Sequence, residues 1–298
     1  MKLVYLGTSA AAPTVERSLT CICLVRENEV LMFDAGEGAQ IAYLKAGLPW
    51  NKKMKIFVTN LHGDHCLGIL GLLQTMSLQK RTESVEIYGP AGIEEFITAN
   101  IKVLNFGLPF PVFITIVEEG SVVSEKDYLV RCCDAQHGIP AFSYCLEEKE
   151  RPGIFYPEKA KELEIPEGKL WQDLQNGNSI EIDGKKIESS QVTGEKRPGK
   201  KVGISGDTRP TAKLEEFFKN CDYLSFDCTF SFDLQDRAIE TNHSTAKEAA
   251  ELAKNVGAKN LILTHFSARY NDESVLLNEA KQVHESVIAA KDLLEIEI

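Results

Sequence analysis

The chain has 298 residues, enough for one large α/β domain or two ordinary ones. With 43% hydrophobic and 26% charged residues it has the composition of a soluble globular protein, and no run of about 18 apolar residues offers a membrane-spanning helix. A net charge of −11 argues against a nonspecific nucleic-acid coat, because phosphate contacts want a basic surface, although a local basic patch stays open.

The opening "MKLVYLGTSAAAPT" contains one short strand-like run and then a Gly/Ala/Pro turn. It lacks the long apolar centre of a signal peptide, and a cytoplasmic chain without a membrane anchor is expected. Strand-length runs rich in β-branched residues recur along the chain: 2–7, 21–25, 30–34, 55–60 and 85–89 early, 113–119, 128–137 and 142–148 in the middle, and 201–207, 223–228, 260–265 and 293–298 late. Helical patterns fall between them. Residues 37–47, "EGAQIAYLKAG", end in a glycine suited to a C′ position, and 92–105 repeat apolar residues at helical spacing. Ser244 and Thr245 are candidate N-caps for "AKEAAELAKNVG", with Glu248 placed for a capping box. Residues 272–292 read as a longer C-terminal helix, with His284 inside it as a surface or packing residue.

Early strands clustered as hairpins, with helices after them, predict a mixed α/β (α+β) fold: two mixed sheets packed face to face, helices outside, in one domain over 1–298. Residues 150–178, rich in Gly, Pro and charge, break that rhythm and read as an inserted, protruding, flexible arm with exposed-looking Phe155, Tyr156 and Trp171. The eight cysteines form no CxxC pair and read as small buried hydrophobes in a reducing compartment.

Of six histidines, His62, His65, His137 and His265 follow or end apolar strand runs, and His243 precedes a helix cap. Asp34, Asp64, Asp207 and Asp227 sit at strand ends too. Side chains from the ends of different strands converge at one sheet edge, where a rigid scaffold can hold a site. The core of the pattern is His62-Gly63-Asp64-His65. Imidazole and carboxylate donors suit Zn²⁺, and a tight turn with a glycine can point alternate side chains at two neighbouring ions. Asp207, after "GISG", could bridge them, and two ions about 3.5–4 Å apart would brace both sides of a phosphoryl displacement.

These stretches resemble the metallo-β-lactamase superfamily and, within it, the short-form transfer-RNA 3′-processing endonucleases of the ribonuclease Z family. "YLGTSAAAPTVERSLTCI", "LMFDAGEGAQ", "NLHGDHCLGILGLL", "AQHGIPAFSY", "GISGDT", "NHSTAKEAA" and "LILTHFSARY" fall in that family's order and spacing over nearly the whole chain. The resemblance implies an αβ/βα sandwich with two zinc ions. One would be held by residue 60, His62 and His137, the other by Asp64, His65 and His265, with Asp207 bridging. It further implies Asp64 as the base that orients or deprotonates the attacking water. His243 would be the acid that protonates the leaving 3′ oxygen, and Asp227 the group that holds and polarises His243. The reaction would be hydrolysis of one phosphodiester in precursor tRNA, which releases the 3′ trailer and leaves a 3′-hydroxyl. The arm would clamp the tRNA through Lys159, Lys161, Lys169, Arg151 and its aromatics. Lys196, Arg197, Lys200 and Lys201 would form a basic loop near the acceptor stem. A homodimer, in which one subunit's arm serves the other's site, is implied by the resemblance alone.

The chain departs from the family pattern at four places. Asn60 stands where the signature has its first histidine, and an amide oxygen should hold Zn²⁺ less well than imidazole. The expectation is a weakened first metal position beside an intact second one. Asp227 stands where the family usually has glutamate, in "FDCT"; Gly168-Lys169 replaces Gly-Pro in the arm; and the basic loop matches only loosely. Two other functions compete: a metal-dependent phosphodiesterase on small substrates, built on the same core, and a tRNA-binding form with catalysis impaired by Asn60.

Overall fold

The computed structural model describes residues 1–298. Two seven-stranded sheets dominate. The first runs in the order Leu294–Glu297, Lys2–Gly7, Cys21–Val25, Glu29–Phe33, Lys53–Phe57, Val85–Gly89, Val112–Ile116. The second runs Val287–Ala289, Asn260–Thr264, Tyr223–Asp227, Lys201–Ile204, Phe142–Glu148, Tyr128–Asp134, Gly120–Ser124. The early strands pair as antiparallel neighbours, then the order turns parallel once helices begin to connect them. That change is forced, because parallel neighbours need a crossover.

Period-two alternation sorts the side chains into layers. Along Lys2–Gly7, Val4 and Leu6 enter the outer core, with Ile69, Leu72 and Met76 of the helix Gly68–Leu78. Phe33 and Phe57 point the other way and meet Tyr144 of the second sheet, with ring centroids 6.1 and 5.4 Å apart. Tyr144 also donates its hydroxyl to the Val58 carbonyl at 2.9 Å. On the far side, Leu224, Phe226, Leu261 and Leu263 pack under the helices Ala246–Asn255 and Ser274–Lys281. The result is the expected αβ/βα sandwich. All eight cysteines are buried and free, and no helix is long and apolar enough to cross a membrane.

Two expected elements differ. The C-terminal helix covers only Ser274–Lys281. Its last turn closes where the Val283 and His284 amides both return to the Ala280 carbonyl, and Val287–Ala289 then pairs in parallel with Asn260–Thr264. The β-branched pair Val287-Ile288 gains more as a sheet edge than as a fourth helical turn. His284 thus lies beyond the helix, its Nε2 on the Ala258 carbonyl at 2.9 Å. Thr245 alone is the N-cap of Ala246–Asn255, with the capping box to Glu248 formed, while Ser244 donates instead to the Thr208 carbonyl.

The chain divides into two compact units. The larger comprises Met1–Val123, Val130–Leu146 and Lys201–Ile298. The smaller comprises Glu147–Lys200 with Ser124–Leu129, so the segment 150–178 is only part of it. Within the smaller unit, Ala160, Ile165, Leu174, Ile180, Ile187 and Val192 form a core of their own. Phe155 and Trp171 are not exposed as expected. They lean on that core with ring centroids 5.3 Å apart, and the Trp171 indole donates to the Ile165 carbonyl at 2.9 Å. Tyr156 is exposed. A hairpin pairs Ile180–Ile182 with Lys185–Ile187 around Asp183-Gly184, whose φ angles of 50° and 75° make the left-handed turn that suits strand twist.

Candidate active site

Parallel strands bring their C-terminal ends to one edge, and the donors ride on the loops that leave it. Asp34 follows Glu29–Phe33, the Asn60–Cys66 segment follows Lys53–Phe57, Asp207 follows Lys201–Ile204, Asp227 ends Tyr223–Asp227 and His265 follows Asn260–Thr264. Small residues allow the loops to close. A Cβ on Gly68 would lie 1.9 Å from the Gly36 carbonyl oxygen, and Gly206, at φ +60°, packs against the Thr59 side chain.

On the buried side, Asp64, His65, Asp207 and His265 offer donor atoms all within 4.8 Å of one another. His65 is wholly buried; its Nδ1 lies 2.8 Å from Asp34 Oδ2, and Asp34 also accepts the Thr59 N–H and hydroxyl at 2.7 and 2.8 Å. That partner keeps the proton on Nδ1 and presents Nε2 inward. Nε2 is 3.0 Å from Asp207 Oδ2, and His265 Nε2 is 3.1 Å from Asp207 Oδ1 and 3.3 Å from Asp64 Oδ2. Asp64 Oδ2 is fixed by the Ala11 amide at 2.7 Å. Both Asp34 and His265 have positive φ, 60° and 62°, a strain that surrounding contacts must sustain.

On the open side, His137 Nε2 and His62 Nδ1 face each other at 3.1 Å, and His137 Nε2 is 3.7 Å from Asp207 Oδ2. His137 Nδ1 is anchored at the Asn242 carbonyl, 3.2 Å away. Asp207 belongs to both groups, as a bridging carboxylate would. Asn60, fully buried, uses its Oδ1 to accept the His62 amide at 2.8 Å, while its Nδ2 is 3.5 Å from Thr59 Oγ1. The amide thus shapes the turn that carries His62, and its oxygen is already engaged.

The donor set fits a divalent metal on an observation independent of any motif. His65 Nε2 and Asp207 Oδ1 are buried with no hydrogen-bond partner, a cost that a coordinated cation removes. Charge couples the same groups to one another. Burial opposes ionisation of Asp64, yet hydrogen bonds from His265 and His65 hold its carboxyl well below the usual carboxylate range. Asp207 is likewise held well below that range, against burial, by the charges of His265 and His65. His265 is pushed up to about 10, against burial, chiefly by Asp207. His137 moves the other way, its pKa lowered by burial.

Asp227 and His243 form a separate couple, Nδ1 to Oδ2 at 2.8 Å. The shorter carboxylate therefore reaches. Burial opposes its charge, but His243 holds Asp227 down at about 2, and Asp227 in turn raises His243 against burial. Asp227 is itself fixed by the Thr208 amide and by the Thr229 amide and hydroxyl, at 3.1, 3.0 and 2.7 Å. His243 lines one cavity of about 520 Å³ with Ala11, His62, Asp64, Asp207 and His265.

Two profiles match parts of the chain: "Anti-Pycsar protein Apyc1" over residues 1–101 and "Beta-lactamase superfamily domain" over residues 176–266. Ribonuclease Z of Nitrosopumilus maritimus is 66% identical over 298 residues, covering all of both chains. The chain belongs to the ribonuclease Z family. Ribonuclease Z of Methanosarcina acetivorans is 41% identical over 300 residues, covering 100% of this chain and 98% of that one. The crystal structure of human tRNase Z, short form, superposes with a TM-score of 0.74 at 27% identity, covering 100% and 99% of the two chains.

Sequence reasoning assigned no role to several residues on which this ribonuclease Z site depends. Asp34 was legible only as a strand-end aspartate, Thr229 only as the end of "FDCT" and Glu248 only as a capping-box partner, and Thr59 and Arg209 carried no site signal. The predicted RNA-contacting cations are spread unevenly. Lys159 lies over the Tyr156 ring at 4.7 Å, Lys161 is 3.5 Å from Glu167, and Lys169 opens the helix Lys169–Gln175. Lys196 pairs with Glu150 at 2.8 Å and Arg197 Nε donates to the Pro152 carbonyl at 3.2 Å. Lys200 ends the smaller unit and its amide donates to Glu148. Lys201 begins the strand Lys201–Ile204, and its ammonium donates to the Phe217 and Lys219 carbonyls at 3.2 and 2.9 Å.

Proposed function

We propose that the chain is a zinc-dependent endoribonuclease that hydrolyses one phosphodiester of precursor tRNA, freeing the 3′ trailer and leaving a tRNA 3′-hydroxyl. The observation that carries the reading is the joining of two devices in one cavity. A carboxylate–imidazole cluster with orphaned buried donors adjoins a histidine whose Nδ1 is locked by an aspartate. The first suits metal-assisted hydrolysis; the second suits proton delivery to a poor leaving group.

His65, Asp64 and His265 would hold one zinc ion and His62 with His137 the other, Asp207 being shared. A bound zinc pair supplies Lewis acidity and a water of lowered pKa. Asp64, steadied by the Ala11 amide, would orient the attacking water and accept its proton. As the water oxygen bonds to phosphorus, the bond to the leaving 3′ oxygen breaks. His243 gives its Nε2 proton to that oxygen, and Asp227 keeps the ring aligned through Nδ1. The trailer departs with a 5′-phosphate.

Recognition of tRNA falls to cations of the smaller unit: Lys159, Lys161, Lys169, Lys196, Arg197 and Lys200. The ammonium and guanidinium groups of the first five are exposed and suit phosphate contacts, and Lys200 is half-buried at the end of the same unit. A homodimer is part of this reading, supported by Ile41 and Leu44, half exposed on the helix Ala39–Lys45. So is a cytoplasmic location, where precursor tRNA is met and eight free thiols persist.

Cleavage of a labelled precursor tRNA tests the proposal. The chain should release a trailer with a 5′-phosphate, and chelation should stop it. His243→Ala should lower kcat by about 10²–10⁴-fold, with metal content and RNA affinity kept. Loss of metal in that variant would assign His243 to the metal centre instead.

A further inference from the structure

Arg209 follows the bridging aspartate by two residues, and its guanidinium is nearly buried, with 12% of the side chain exposed. Its Nη1 donates to the carbonyl of His243 at 2.6 Å and to Glu248 Oε2 at 2.8 Å, and its Nη2 donates to Glu248 Oε1. Its own amide donates to the Gln136 carbonyl at 3.1 Å, beside His137. His137 Nδ1 then meets the carbonyl of Asn242, the residue before His243. These contacts close a ring: Arg209 to Gln136, His137 to Asn242, His243 back to Arg209. Two successive carbonyls of the His243 loop are gripped, one by a candidate metal-ligating imidazole and one by Arg209.

We propose that Arg209, clamped by Glu248, is a positioning residue that sets the His243 ring against the scissile bond. The proposal rests on the role given to His243 above. Asn242 closes the helix Gln235–Thr241 in the left-handed conformation that asparagine readily adopts, and the two carbonyl contacts fix the path of the chain beyond it. Glu248 cannot do so alone. It also accepts from the Thr245 amide and hydroxyl, at 3.0 and 2.9 Å, and from Gln235 Nε2 at 3.0 Å. It is the fixed post, and Arg209 is the tether from that post to the His243 backbone. Lysine could keep the charge pair, but it lacks the planar fork that reaches carboxylate and carbonyl together.

The test compares leaving groups. Arg209→Lys and Glu248→Gln are assayed on precursor tRNA, whose leaving ribose oxygen needs a proton, and on bis(p-nitrophenyl) phosphate, whose p-nitrophenolate does not. Metal content and thermal unfolding are measured beside them. A misplaced acid should lower kcat on precursor tRNA by about 10–100-fold with KM within about twofold, while activity on the aryl ester changes by less than about threefold. Equal losses on both substrates, or loss of metal, would show a merely structural part; an unchanged kcat on precursor tRNA would also overturn the proposal. If the unmodified protein does not cleave precursor tRNA, the reading of its substrate fails. The same comparison is then made with a dinucleotide, whose leaving sugar oxygen also needs a proton.

Discussion

The two sides of the candidate metal centre are built differently. On the buried side, His65 is locked by Asp34, which is locked by Thr59, and its inward-facing nitrogen lies 3.0 Å from Asp207 Oδ2 without a well-formed hydrogen bond. On the open side, His62 is exposed and its ring is braced by His137, while the third position is an asparagine that has turned to the backbone. A chain of fixed partners raises both the rigidity and the basicity of a ligand. On the open side only His137 has such a partner, the Asn242 carbonyl, and the exposed His62 has none beyond His137 itself. The difference predicts unequal sites: a tight metal behind and a more exchangeable one in front, sharing Asp207.

Removing the shared group should erase that contrast. Asp207→Ala takes a donor from both sides and leaves His65 and His265 facing each other with less compensating charge. The expected outcome is loss of bound metal from both positions and of hydrolysis altogether, read by elemental analysis and a cleavage assay. Retention of one tightly held ion would show that Asp207 serves only one side.

A smaller change should widen the contrast from behind. Asp34 touches no metal position itself but holds Nδ1 of His65. Asp34→Ala should weaken metal at the buried side by about 10–100-fold, the usual range for such a supporting partner, while the open side keeps its affinity. Competition with a chromogenic chelator separates the two. Equal weakening of both positions would mean that Asp34 supports the whole loop edge rather than one imidazole.

Much of this was legible in the sequence because strand ends and donors coincide. A strand rich in β-branched residues, followed at once by His or Asp, fixes both an element and a site residue. His65, Asp207, Asp227 and His265 were found that way. What stayed hidden depends on partners far apart in the chain. Arg209 and Glu248 are separated by a helix, a strand, a short 3-10 turn and a second helix, and neither stands in a metal-like spacing. The smaller unit was visible as a break at 150–178, yet its hairpin lay beyond that range. The Asp183-Gly184 turn was its one local sign. The C-terminal helix was overread because "ESVIAAKD" keeps helical spacing, and only the open edge beside Asn260–Thr264 makes a strand of it.

The finest test concerns Asn60, where the smallest effect is expected. Its oxygen accepts the His62 amide, so Asn60→His exchanges a local turn contact for a possible third imidazole. Two consequences oppose each other. A nitrogen donor at the open side should tighten metal there, by about tenfold if it resembles the difference that supporting ligands make. A freed His62 amide should loosen the turn, at a cost of about 0.5–1.5 kcal/mol in stability. Thermal unfolding and metal titration read these separately. Tighter metal with a lower Tm is the expected pair. Unchanged metal affinity with a lower Tm would assign Asn60 to the backbone alone, and the open side would then be a two-histidine position by construction.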